Sequence, residues 1–558
     1  MSATQRTAVF IFVCFLNVSL LQGQTQPADN RAASSGEVMF YSDGRHSSVY
    51  LYEPPMGVRQ YVEPIDELLD LGVDTITYAV GDCSVLLYET KVGERWGHNL
   101  DLVNHVIWYR AGQNSRSLIE RGKDPLRVVC DHAHKRGFKF LPHLLLNMLH
   151  TPPNRVTNSR VADFTTQHPE WQVGPEPDYP ESVRDQPNRL SYSRPEVRAN
   201  RLAVIRELVE SYPTDGIEIN FHDYVPLIAR REVSSHTQTI TEWVREIRAV
   251  CDRAAASQGR EKRFVIRIGG SLDGSKALGM DLETWIQEKL VDAVIAMPVT
   301  HGFEGSTSEL RKVIRTATEA GIPVMAGLNN HTSGSGSAGN TRDVYYAAAA
   351  NAYAAGAAGV LFQTYYPGNT RYPYDDAATG TVRFMGHPDV LVHKDKRFRL
   401  SSKPKPDTVP RDGISWQLPV VLEPGENGPE IHLEVSDDVA AKAEAGELWN
   451  CELRIMLSNM MHADKVRLWW NGAEIPPEQQ RMADWTYQLR KTPTFQRSSG
   501  YRLHVKLKGE QLPGVGDNLL RVDVLQKDSR LTHSIRMDDV ELKVEYLSHR
   551  NGLRPDER

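Results

Sequence analysis

The chain has 558 residues, 40% hydrophobic and 24% charged, with a formal net charge of −6 at pH 7. That length exceeds one ordinary core and predicts two globular domains. The near-neutral balance, with no run of Lys or Arg beyond a few residues, excludes the electrostatic footprint of a nucleic-acid binder, so no nucleic acid is expected among the partners.

Arg6 precedes an apolar run over residues 8–21, and Gly23-Gln24 follow. The pattern predicts a secretory signal peptide over 1–23; the run is short for a bilayer span, which disfavours an uncleaved anchor. An exported protein, periplasmic or extracellular, with no stable membrane insertion after cleavage, is the expectation. Residues 24–36 are small and polar and predict a disordered lead-in. Beyond Cys14, the cysteines Cys83, Cys130, Cys251 and Cys451 are scattered, without the Cys-x-x-Cys spacing of a zinc site. Pairing among them and four buried thiols both stay open.

From Glu37 onward, strand and helix patterns alternate. Strands are predicted at 38–41, 75–78, 138–146, 217–221, 264–268, 293–298, 323–328 and 359–362, separated by helical periodicity as at 126–135, 241–255, 310–320 and 344–355. Eight such units predict one α/β fold, a (β/α)8 TIM-type barrel over 37–395. The loops after strands one to four and after strand seven are long. Residues 332–340, nearly all Gly, Ser and Ala, read either as a flap or as a passive surface loop.

A Pro-rich linker is expected over 396–412, where Ser-Ser-Lys-Pro-Lys-Pro begins at Ser401. After it the period changes to two, as in Ile431-Leu433-Val435 and Val540-Leu542-Val544, and Asn471-Gly472 is a hairpin signal. An all-β sandwich domain is predicted over 413–548, with a tail at 549–558. Trp469 and Trp470 are adjacent in one strand, so one faces the core and the other faces solvent or the barrel. A structural accessory role is expected for this domain, with glycan binding as the alternative.

The most informative stretch is Asp215-Gly216-Ile217-Glu218-Ile219-Asn220-Phe221-His222-Asp223. Its apolar residues alternate with Glu218, Asn220 and His222, and in a barrel the carboxyl ends of the strands carry the chemistry.

Four local patterns occur in order. They are Asp124-Pro125-Leu126 through Ala133-His134-Lys135-Arg136-Gly137-Phe138; His168-Pro169-Glu170-Trp171; Arg194-Pro195-Glu196-Val197-Arg198; and Asp215-Gly216-Ile217-Glu218-Ile219-Asn220. Together they resemble the glycosyl hydrolase-like family 10 domains, bacterial barrels assigned to carbohydrate cleavage, over about 37–395. The resemblance implies an exported enzyme acting on a poly- or oligosaccharide, with its site at the end of strand four. Where strands of that family tend to end in paired aspartates, this chain has Asn220 and then Phe221-His222-Asp223.

Glycosidic hydrolysis usually needs two carboxyl groups, about 5 Å apart for retention and about 6.5–9.5 Å for inversion. The catalytic candidates are Asp223, Glu304, Glu218 and Asp43, with Asp223 as the ionised group and Glu304, past strand six, as the proton donor. Glu218 has a second reading, as a core residue paired with Arg267. Candidate sugar contacts are Asn220, His222, His143, Asn147, His301, Asn329, Tyr78, Gln363 and Tyr365, with Tyr41, Trp96 and Tyr366 as further flat faces. No cofactor and no metal ligand set is expected, although His143, His222 and His301 with Asp43 or Asp223 leave a metal-dependent hydrolase as an alternative. A carbohydrate-binding barrel that has lost the chemistry is the other.

Overall fold

The computed structural model describes residues 35–547 apart from 84, 99, 101, 148–157, 177–188, 299–301, 329–340, 364–379, 402–415, 426 and 486–499. The expected signal peptide, flap and tail therefore lie outside the described residues, as do His301, Asn329, Tyr365 and Tyr366.

Eight parallel strands close into a barrel: β1 (Glu37–Ser42), β2 (Thr75–Ala79), β3 (Lys139–Leu145), β4 (Gly216–Asn220), β5 (Arg263–Gly269), β6 (Ala293–Met297), β7 (Val324–Leu328) and β8 (Gly359–Gln363). Each pairs with its neighbours in sequence, and β1 closes the ring against β8. The two-residue alternation of each strand sorts its side chains. Phe40, Ile76, Phe140, Ile217, Ile219 and Ile266 face the surrounding helices. Met39, Leu141, Val265, Ile295, Met325 and Leu361 fill the lumen instead, as the packed interior of such a barrel requires. Below this plug Glu37 accepts from Arg263 Nη1 and Thr75 Oγ1, each at 2.8 Å.

Local chemistry explains the entry to β4. The helix Pro195–Glu210 begins with proline at its first turn, where no intrahelical donor is needed. Gly216 then opens the strand at φ +137°, and a Cβ there would collide with the Arg263 carbonyl oxygen, so glycine is required. The carboxylate of Asp215 receives Phe140 N at 2.8 Å and His134 Nε2 at 2.7 Å, tying the start of β4 to β3 and its helix.

The β-rich part contributes β9 (Lys396–Ser401), β10 (Val420–Leu422), β11 (Glu430–Val435), β12 (Leu448–Ser458), β13 (Lys465–Trp470), β14 (Ala473–Ile475), β15 (Gln480–Trp485), β16 (Gly500–Lys506), β17 (Gly516–Gln526) and β18 (Ile535–Tyr546). One sheet runs β9-β18-β12-β16-β15, with β10 also on β18, and the other runs β11-β17-β13-β14. Leu453, Ile455 and Val544 from the first meet Leu433, Leu468, Trp470 and Val522 from the second in one sandwich core. Trp470 is in that core, whereas Trp469 donates to Asp523 at 2.8 Å between Arg467 and Arg521.

The expected linker needs correcting: Lys396–Ser401 is already an edge strand, paired antiparallel with β18. The helix Arg342–Ala354 feeds both cores. Tyr345, Ala348 and Ala352 pack on the barrel, and Ala347 packs into the sandwich with Phe398 and Leu400. Glu434 of β11 fastens the same junction, accepting from Thr307 Oγ1 at 2.7 Å and Arg311 Nη2 at 2.6 Å. Cys83, Cys130, Cys251 and Cys451 are all buried and no two are bridged.

Candidate active site

The inward positions of β1, β3, β4 and β5 build a charged layer just above the apolar plug. Glu218 is fully buried and receives Arg267 Nε at 2.6 Å; His143 Nδ1 stands 3.0 Å from its other oxygen, within ion-pair range but out of line for a hydrogen bond. Burial pushes the Glu218 carboxyl up, but Arg267 and His143 outweigh it and hold it down at about 2. Tyr41 seals this layer: the Arg267 guanidinium lies 4.8 Å from its ring centroid, and the His143 ring meets it edge-on at 4.7 Å. Glu218 is therefore the core partner of Arg267, beneath the mouth.

Above Tyr41 lie two aspartates. Asp43, just after β1, is gripped by a fork from Arg45, with Nε and Nη2 each at 2.8 Å, and by His46 Nδ1 at 2.9 Å. Burial raises its pKa, but Arg45 and His46 together pull it well below the ordinary range, so Asp43 stays ionised. Arg45 also reaches Asp82 after β2, whose second oxygen meets Arg160; that guanidinium lies over Trp108 at 5.3 Å. Asp223, after β4, differs. It is half-buried, its Oδ2 accepts from Asn220 Nδ2 at 2.7 Å, and no cation among the described residues pairs with it. Asn220 is fully buried and shapes the turn, its Oδ1 accepting the backbone N–H groups of His222 and Asp223 at 2.9 Å each. Burial lowers the His222 pKa; Asp223 opposes this and Arg267 adds to it. The charges of Asp43, Arg45, Arg267 and Asp223 all act on the Tyr41 hydroxyl, which gathers them around one ring.

Other expected site residues are elsewhere. Glu304 is buried where the loop after β6 turns outward onto β9 and β11; Arg399 N donates to its backbone oxygen at 3.0 Å, and its charged neighbours are Arg399 and Asp539. Pairing it with Asp223 is thus a correction, caused by that outward turn. Burial, against Arg399, raises the Glu304 carboxyl to about 7. Asn147 is fully buried, with its amide spent on Leu190: Nδ2 donates to O at 3.2 Å and Oδ1 accepts from N at 2.9 Å. Tyr78 points out of the barrel onto Phe140, 5.7 Å between centroids, because the inward positions of β2 are Thr75, Thr77 and Ala79. Gln363 is in β8, with its side chain outside the described set.

The mouth histidines form no metal grouping among the described residues. Glu94, His98 and Asp163 do have ligand atoms within 4.8 Å of one another, but both Glu94 oxygens already accept backbone N–H groups, from Asp163 and Phe164 at 2.8 Å. Sequence reasoning missed Arg45, Asp82 and Arg160 as members of the site, whereas Arg267 was expected as the core partner of Glu218. The signal for Arg45 was present: Asp43-Gly44-Arg45-His46 directly follows a barrel strand.

Residues 46–250 match the glycosyl hydrolase-like 10 family. Glycosyl hydrolase DigH of Escherichia coli (strain K12) is 28% identical over 194 residues, a stretch that covers 32% of this chain and 38% of that protein. The protein of the same name from Shigella flexneri gives the same figures. The match thus spans well under half the length of these relatives. Among solved structures, α-L-fucosidase isoenzyme 2 from Paenibacillus thiaminolyticus aligns at 12% identity and TM-score 0.40, over 64% of this chain and 49% of that one. The catalytic domain of β-amylase from Paenibacillus polymyxa aligns at 10% identity and TM-score 0.40, over 64% of this chain and 99% of that one. β2, β3 and β4 are inside the matched stretch, with Asp82, His143, Glu218, Asn220 and Asp223 on them or just past their ends, so the part of the chain that is similar to glycosyl hydrolase-like 10 domains carries most of this site.

Proposed function

We propose that the protein is an exported glycoside hydrolase acting on a poly- or oligosaccharide at the carboxyl-end mouth of the barrel, with Asp223 as its ionised catalytic group. The observation that carries this reading is the contrast among the mouth carboxylates. Glu218 and Asp43 are each paired with an arginine, while Asp223 is half-exposed and held by an uncharged amide. A carboxylate left with spare lone pairs is able to take a proton from water or to meet a sugar carbon. Asp43, fixed as an anion by Arg45, would stabilise positive charge developing on the ring; Asn220 and His222 would orient hydroxyls without adding a competing charge. The family match supports the substrate class, and the apolar run after Arg6 supports export.

Release of reducing sugar from a glycan panel tests this reading, with Asp223→Asn expected to lower turnover by about 10³-fold or more while binding persists. A second reading, a carbohydrate-binding barrel without turnover, is favoured by one observation: Asp43 and Glu218 are both held ionised and so neither is a proton donor. Binding with no release from any glycan, in the unaltered chain, would select it.

A further inference from the structure

On the outer face of the first sandwich sheet, nearly every cation has an acid of its own. Arg454 pairs with Glu452 at 2.6 Å, Arg399 with Asp539 at 2.6 Å, Lys543 with Glu545 at 2.8 Å and Arg397 with Asp343 at 3.0 Å. Three cations at one corner break this pattern. Arg481 of β15, Lys506 at the end of β16 and Lys508 just beyond it are exposed and have no ion pair or side-chain hydrogen bond among the described residues. All three line one concave cleft of about 700 Å³, a size typical of small-molecule sites.

The register explains the clustering. Arg481 is opposite His504 on β16, and Lys506 is two residues on, so both project from the same face as His504. The acid that lines the cleft, Glu452, is already spent on Arg454 and on His504 Nδ1 at 3.1 Å. Burial lowers the His504 pKa, with Arg481 and Arg454 adding to this against Glu452, so the imidazole adds no charge to the three cations. In the same lining Gln511 Nε2 donates to Gln479 Oε1 at 2.9 Å. That bond leaves Gln479 Nε2 and Gln511 Oε1 without a partner among the described residues, a donor group and an acceptor in one cleft.

Unpaired cations in a concavity, beside amides suited to hydroxyls, match a ligand that is both anionic and polyhydroxylated. We infer that this cleft is a second ligand site, for an acidic oligosaccharide whose carboxylate or phosphate groups meet Arg481, Lys506 and Lys508 and whose hydroxyls meet Gln479 and Gln511. The site lies wholly in the sandwich and goes beyond the proposed barrel function; it holds whether the barrel cleaves or merely binds.

The test is calorimetric titration of the full chain carrying Asp223→Asn, expected to suppress turnover, with tetragalacturonate, a phosphorylated tetrasaccharide, maltotetraose, inorganic phosphate and a single-stranded DNA tetranucleotide. Binding of at least one acidic sugar, weakened tenfold or more by Lys506→Ala with Lys508→Ala, is expected; whichever acidic sugar binds tighter identifies carboxylate or phosphate as the anion. Gln479→Ala is expected to weaken the sugar several-fold and to leave inorganic phosphate unaffected. Equal titrations of the double variant and its parent would overturn the proposal, as would maltotetraose or the tetranucleotide binding at this site as tightly as the acidic sugars. Because all these exposed substitutions are read by binding, failure here leaves the catalytic reading of Asp223 untouched.

Discussion

Arg267 and Glu218 meet across β4 and β5 with 2.6 Å between Nε and Oε1, each at most 1% exposed. Removing one partner strands the other charge in the barrel, so Glu218→Gln is expected to cost about 3–5 kcal/mol. The folded pKa of Glu218 is below its ordinary 4.5, so its stabilising contribution is complete above pH 4.5 and is lost as pH falls toward about 2. Urea melts at pH 7 and an acid-unfolding series check both statements, the variant losing less stability than the parent across that acid range.

Asn220 donates to Asp223 at 2.7 Å without carrying charge. Asn220→Asp would set two carboxylates against each other, and repulsion raises one of their pKa values. If Asp223 is the ionised catalytic group, the acid limb of the kcat/KM profile should move upward by about one pH unit or more. An unmoved limb would separate Asp223 from the chemistry.

The Glu304 carboxyl, raised to about 7 against an ordinary 4.5, gives the opposite sign of pH dependence. The folded state holds its proton more tightly, so its contribution is complete below pH 4.5 and is lost as pH rises through 7. Glu304→Gln cannot ionise, and should stabilise the protein by about 3 kcal/mol at pH 8 while changing little at pH 4.5. Thermal melts at the two pH values check this.

Asn147 supplies both hydrogen bonds to the backbone of Leu190. Asn147→Leu leaves that buried N–H and C=O unpaired and should cost about 1–3 kcal/mol. KM for any glycan turned over should stay unchanged, which distinguishes a loop fastening from a sugar contact.

The barrel was legible because alternation is a local signal: strand 217–221 already has Ile217 and Ile219 on the helix face and Glu218 and Asn220 inside. The same rule, applied to β2, would have turned Tyr78 outward, since Thr75, Thr77 and Ala79 are the inward set. The site was only partly legible, since its members meet through space. Nothing near Arg160 in sequence announces that it reaches Asp82, 78 positions earlier. Glu304 misled for a related reason: a loop after a barrel strand was expected to face the mouth, and its docking on β9 and β11 is a tertiary event. The linker was misread because the first strand of the sandwich sheet, Lys396–Ser401, precedes the prolines that signalled a boundary.

The helix Arg342–Ala354, which packs on the barrel with one face and gives Ala347 to the sandwich with another, makes the two cores mutually dependent. Cutting the chain after residue 395 would uncover that face and strip Glu434 from Thr307 and Arg311, so the barrel alone would lose packing it cannot replace. Heat should therefore melt both halves in one cooperative transition rather than two, and what is built as a barrel and a sandwich would behave as a single folding unit.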